Sequence, residues 1–269
     1  MQIINLLTHN FPNQRTLIIT RSNSALNDLF AKIAKLDINE RYLLRLGIGE
    51  KDLEVSEDFS KNGRVNFMLT RRIILLDEVN KLAKSINNFT HEEYTCESAI
   101  NFFEIQIKPR FNEFEKKIEN LKKTGSKINE IETIFPFTKF FISFHFQDQI
   151  LFEKNNIEED HKKGRLLLKY VDNLFNELKD CYAFELLRNN QERASYLLTK
   201  QAKIIAMTST HAALKRKDFI QLGLEYDNIL MEESGQMLEI ETFIPLLLQN
   251  QQTDLSRLKR VILIGNIFH

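Results

Sequence analysis

Apolar positions along this chain follow two patterns. Short unbroken runs lie near its two ends: "TLIIT" (16–20), "RYLLRLG" (41–47), "AKIIAMTST" (202–210), "DNILMEE" (227–233) and "RVILIG" (260–265). Runs of this length without polar alternation predict strands buried on both faces. Helix-like stretches separate them, the first being "ALNDLFAKIAKL" after residue 20, with Ser22 and Asn23 placed to cap it. Strands alternating with helices predict an α/β fold with a parallel sheet.

The middle of the chain reads differently. Residues 64–88, 92–123 and 157–200 carry apolar positions at three- and four-residue steps with charges between, the period of amphipathic helices. Pro109 is expected to kink or divide the second of these, because it has no N–H to donate. "KKTGSKINE" (122–130) reads as a loop. The dense run "IFPFTKFFISFHF" (134–146) reads as aromatic core packing in preference to a base-stacking platform.

Composition narrows the function classes. The 269 residues suffice for a sizeable core, and only 8 Gly and 4 Pro favour long helices over turns. Lys plus Arg is 37 and Asp plus Glu is 37, so there is no global basic field and any nucleic-acid contact must be local. Cys96 and Cys181 have no CxxC spacing, which argues against a zinc site or a disulfide framework and for a reducing compartment. No apolar run approaches bilayer length and the first residues have no basic leader, so a soluble intracellular protein without membrane contact is expected.

Candidate chemistry centres on "NILMEESGQ" (228–236). In open parallel sheets, ligands sit beyond the carboxyl ends of the strands, where Glu232 and Glu233 would fall. One acid there suits a Mg²⁺ ion and the next suits an attacking water, with Gln236 a turn further on and placed to sense a phosphate. The competing reading is a strand followed by a helix whose first turn favours negative charge.

Five segments together, "TLIITRSNSALNDLFAKI", "YLLRLGIGE", "AKIIAMTSTHAALKR", "YDNILMEESGQMLEIETFIPLLLQN" and "SRLKRVILIGN", resemble the superfamily-1 RNA helicases, most closely their intron-binding spliceosomal branch. "TRSN" (20–23) is similar to motif Ia of that family, "AMTST" (206–210) to motif Ic, "MEES" (231–234) to motif II and "LIGN" (263–266) to the start of motif III. The resemblance implies an incomplete parallel RecA-like sheet of the P-loop NTPase class with a large, mainly helical insertion. Residues 1–48 and 201–269 would form the two parts of the first RecA-like domain, and residues 49–200 a stalk-like insertion. It implies Mg²⁺ at Glu232, catalysis by Glu233 with Gln236, and nucleotide contact at Gly265. It also implies RNA backbone contacts at Ser22, Asn23, Thr208 and Thr210, whose hydroxyl and amide groups suit phosphate. Capping is the competing role for Ser22 and Asn23. The cofactors implied are Mg²⁺ and ATP, the partners intron RNA and spliceosomal proteins, and the location nuclear.

Departures from the family pattern limit the expectation. No GxxxxGK[ST] phosphate loop occurs in the chain, Asn266 stands where motif III continues with Asp, and the second RecA-like domain is missing. Glu232 in place of the commoner Asp adds one methylene, about 1.5 Å, as the spliceosomal branch also does. A fragment inactive by itself as an ATPase is therefore expected, with a non-catalytic helical interaction module or a truncated gene product as alternatives. In the family the phosphate-loop strand is expected beside the motif II strand, so its absence predicts two unpaired apolar edges and poor solubility.

Overall fold

A computed structural model describes residues 1–48, 57–86, 93–124, 131–145, 151–152, 157–249 and 257–265. The loop expected at 122–130 and the departure at Asn266 lie partly or wholly outside these residues. Two compact units are present, one of Met1–Met68 with Leu187–His269 and one of Leu69–Leu186. In chain order the elements are α1 (Gln2–Asn10), β1 (Thr16–Thr20), α2 (Asn23–Ile33), β2 (Leu43–Arg45), α3 (Lys61–Ser85), α4 (Cys96–Phe102), α5 (Lys108–Thr124), α6 (Ile131–Ile134) and α7 (Thr138–Phe144). They continue with α8 (Ile157–Leu186), α9 (Asn190–Tyr196), β3 (Ile204–Thr208), α10 (Ser209–Leu214), α11 (Arg216–Gln221), β4 (Asn228–Met231), α12 (Glu239–Phe243) and β5 (Arg260–Leu263). No described helix is long and apolar enough to cross a membrane.

In the first unit the five strands form one parallel sheet in the order β2-β3-β1-β4-β5. Every residue of β1, β3 and β4 is buried, which is why these segments read as unbroken apolar runs. α2 covers one face with Leu26, Leu29, Phe30 and Ile33, spaced to share one side of a helix, and they pack with Ile18, Ile204, Ala206 and Leu230 of the sheet. Ile4 of α1 joins the same cluster.

The expectation of an open place beside β4 is corrected. Asn228–Met231 pair with Thr16–Ile19 of β1 on one side and with Arg260–Leu263 of β5 on the other. β5 fills the place assigned to the missing strand, so no interior edge is exposed. The apolar edge is instead β5 itself, where Val261 and Leu263 are 49% and 58% exposed.

The second unit is helical with an aromatic core. Phe135, Phe137, Phe140 and Phe141 are buried, as the packing interpretation of 134–146 expects, and Phe135 meets Phe114 edge-on at 5.4 Å between centroids. Phe103 and Phe175 stack with centroids 4.7 Å apart. The helical stretch is divided just ahead of Pro109, as expected. The chain widens into a π-turn at Phe103–Ile107 between α4 and α5, a local change of pitch that absorbs a residue unable to donate at position 109. Both cysteines are free and buried, and burial with the neighbouring Glu185 pushes the Cys96 thiol up to about 12.

Candidate functional site

Parallel strands place all their carboxyl ends on one crest of the sheet. Four predicted segments meet there: residues 20–23 after β1, 208–211 after β3, 231–236 after β4 and 263–265 at the end of β5.

The acidic pair forms the end of β4. The Glu232 N–H donates to Ile19 O at 2.9 Å, extending the ladder by one residue. Its Oε2 is buried and has no hydrogen-bond partner among the described residues. A buried carboxylate oxygen left unmet is costly, and it is the kind of atom a cation or a bound water satisfies. Glu233 takes the left-handed conformation, φ 58° and ψ 30°, the only non-glycine residue with positive φ among those described. That conformation is typical of strained functional turns. It ends the strand and starts a 3-10 turn, Ser234–Gln236, so the pair is not the first turn of an α-helix. Ser234 ties this turn to β5: its N–H donates to Ile264 O at 2.9 Å and its hydroxyl at 3.1 Å.

Gln236 is exposed, and its Oε1 accepts from Arg21 Nη1 at 3.4 Å. This contact joins the ends of β4 and β1. Gly265 has a steric reason to be glycine, since a Cβ there would lie 2.7 Å from Gly235 N. The close approach holds the end of β5 against the acidic turn.

The residues expected at the RNA backbone are already engaged locally. Ser22 is the N-cap of α2, its Oγ accepting from the Ala25 N–H at 3.1 Å. Asn23 Oδ1 accepts from Arg45 Nη2 at 3.0 Å. Thr208 caps α10, its Oγ1 accepting from the His211 N–H at 3.2 Å, while Thr210 is exposed. Between the two threonines, Ser209 Oγ is buried without a hydrogen-bond partner among the described residues.

Two features of this crest were not visible in the chain. Arg45 in β2 is fully buried and donates to Asn27 Oδ1, Asn23 Oδ1 and Leu46 O, placing a cation beneath the crest. His211, half-buried, is held neutral. Burial first, then Lys61, Lys215 and Arg45, push its pKa down to about 4. The basic string "LKRK" after His211 hints at this field, but the Arg45 contribution arrives only through tertiary contact.

Among the described residues no group of three or more His, Cys, Asp or Glu side chains could hold a metal. A single carboxylate is nonetheless what Mg²⁺ uses when water and phosphates supply its other ligands. The orphaned Glu232 Oε2 fits that role.

The parallel sheet with an acid at the crest of an interior strand goes with the family that the sequence matches: the chain belongs to the AAA domain family, whose model covers residues 1–267. Over 99% of its length it is 50% identical to the RNA helicase aquarius of Mus musculus. It is 24% identical, over 98% of its length, to the pre-mRNA-splicing factor cwf11 of Schizosaccharomyces pombe. The aligned region spans 18% and 20% of those two proteins, about a fifth of each.

Proposed function

We propose that the chain forms the RNA-facing and Mg²⁺-facing part of a first RecA-like domain in an ATP-dependent RNA helicase that acts in pre-mRNA splicing in the nucleus. The observation that carries this reading is the buried, partnerless Glu232 Oε2 at the crest of β4. In the reading, Glu232 holds Mg²⁺ through that oxygen or through a water. When bound, the ion neutralises charge on the phosphates of ATP. Glu233 orients the attacking water and accepts its proton at the carboxylate. Gln236, linked to Arg21, reports the state of the phosphates to the β1 end, and the RNA backbone would run past the ends of β1 and β3, where exposed Thr210 is open to it and Ser22, Asn23 and Thr208 hold the local turns. Gly265 keeps the motif III backbone against the acidic turn.

With no GxxxxGK[ST] in these 269 residues, the chain by itself lacks the cradle that grips the β- and γ-phosphates. Its ATPase rate is therefore expected at background, equal in wild type and in Glu233→Gln. Mg²⁺ is expected to raise its melting temperature, and Glu232→Gln to remove that effect. A Glu233-dependent rate overturns the inactivity, and identical Mg²⁺ responses in wild type and Glu232→Gln overturn the metal assignment.

A second reading, a docking module for spliceosomal proteins, draws on the helical unit. There Ile73, Ile105 and Leu166 are each more than 59% exposed. It predicts protein binding that survives loss of the acidic pair.

A further inference from the structure

The second unit carries a cluster of titratable side chains that the proposed function does not use. Glu115 and Lys122 stand two turns apart on one face of α5, and His161 of α8 lies between them. The His161 ring is buried and meets both. Its Nε2 is 3.1 Å from Glu115 Oε2 and its Nδ1 is 3.2 Å from Lys122 Nζ. Arg165, one turn further along α8, donates to the two oxygens of Glu115 at 2.9 and 2.8 Å. Gly164 lets the two helices close at this level, since a Cβ there would lie 2.9 Å from Phe114 Cζ. The Phe114 ring in turn packs beside His161 with centroids 6.3 Å apart.

The neighbours fix the tautomer of the ring. An ammonium only donates and an ionised carboxylate only accepts, so Nδ1 is the bare acceptor facing Lys122 and Nε2–H donates to Glu115. The Arg165 guanidinium first, then the His161 ring, hold the Glu115 carboxyl below its ordinary range against partial burial. A nitrogen nucleophile thus lies beside a base whose far side is oriented by a third group, the arrangement that activates nucleophiles. Lys81, Lys108, Lys117, Lys215 and Lys259 are placed differently: each meets a carboxylate, which favours the charged ammonium. Lys122 meets a ring nitrogen able to take a proton, and it is exposed, so a reagent in solution reaches it.

We propose that Lys122 is a modification site that acylates itself from acyl thioesters, with His161 as the general base. In its neutral form the Lys122 amine attacks the thioester carbonyl and a C–N bond forms. His161 Nδ1 takes the proton that the nitrogen gives up, the C–S bond breaks, and the proton passes to the departing thiolate. The products are an amide on Lys122, a free thiol and an unchanged His161, with nothing oxidised or reduced. The modification removes a cation from the C-terminal turn of α5, where the helix dipole favours one, and leaves an amide N–H to donate to Nδ1.

Incubation of the chain with acetyl-coenzyme A, with each lysine followed over time by peptide mass spectrometry, tests it. The adjacent, exposed Lys123 is the internal reference. Lys122 is expected to be acetylated at least about tenfold faster than Lys123, a small part of what a positioned general base supplies. A smaller ratio overturns the site. His161→Gln keeps a donor to Glu115 and removes the acceptor that faces Lys122, so it is expected to bring the Lys122 rate down to that of Lys123 at an unchanged melting temperature. A preference for Lys122 that survives in His161→Gln overturns the role of the base. Heavy water supplies a readout on the wild type that stands whether or not the variant folds. It is expected to lower the ratio of the Lys122 rate to the Lys123 rate, because a proton moves to His161 only at Lys122, and an unchanged ratio overturns that transfer.

Discussion

At the scale of single residues the site combines a buried carboxylate oxygen that has no hydrogen bond among the described residues with backbone strain. Glu233 in the left-handed region costs about 1 kcal/mol relative to glycine, which has no Cβ to clash. Glu233→Gly is therefore expected to raise the unfolding free energy by about 1 kcal/mol in urea titration while removing the carboxylate proposed to act on water. A loss of stability would show that the Glu233 side chain, not its backbone angle, holds the turn. His211 adds a pH dependence with a definite sign. Its folded pKa, about 4, lies below the ordinary 6.5, so the unfolded chain binds the extra proton between those values. Stability is fully present above pH 6.5, falls as pH drops toward 4, and levels off below. After discounting for solvent screening the loss is roughly 1–2 kcal/mol. Melting curves of His211→Asn, lacking this part of the acid limb, check it. The sequence located the acidic pair but not its geometry. A dihedral angle of 58° and an orphaned oxygen are set by β1 and β5, which are distant in sequence from residue 232.

At the scale of elements, the opposite end of the sheet is held by Arg15. Its guanidinium donates to the carbonyls of Ala202, Thr199 and Glu225 at 2.6–2.8 Å and also to Leu198 O, closing the π-turn Leu197–Gln201 that precedes β3. Burial and the nearby Arg257 lower its pKa to about 10, against the opposing pull of Glu225 and Asp227. Asp227 is the counterpart. Burial works to raise its pKa, but hydrogen bonds from the Arg15 N–H, Arg257 and Lys259 outweigh it and leave the carboxyl below its ordinary range. Arg15→Lys keeps the charge but loses the planar fork, so several buried carbonyls go unmet. A destabilisation of about 3 kcal/mol in urea is expected; a change below 1 kcal/mol would mean that water replaces the fork. Nothing near Arg15 in the chain announces these partners, since they lie some 180–210 residues away.

At the scale of the whole molecule, the exposed outer side of β5 governs behaviour in solution. Its edge carries Val261 and Leu263 exposed, so concentration-dependent association is expected, and Leu263→Lys should suppress it in sedimentation velocity. A wild-type chain that stays monomeric at high concentration would show the edge to be protected. The five strands, the buried face of α2 and the aromatic packing around Phe135 were all legible in the chain. Burial on both faces or on one face imposes a periodicity that composition alone must satisfy. The five motif-like segments likewise gave the family without any coordinates. Strand order was not legible, because an all-apolar run carries no record of which neighbour it pairs with, and so the open place expected beside β4 proved to be filled by β5. The partnerless oxygen of Glu232 and the cation under Asn23 were equally hidden. Each arises where residues far apart in the chain are brought to one crest, and only the assembled sheet decides which of them meet.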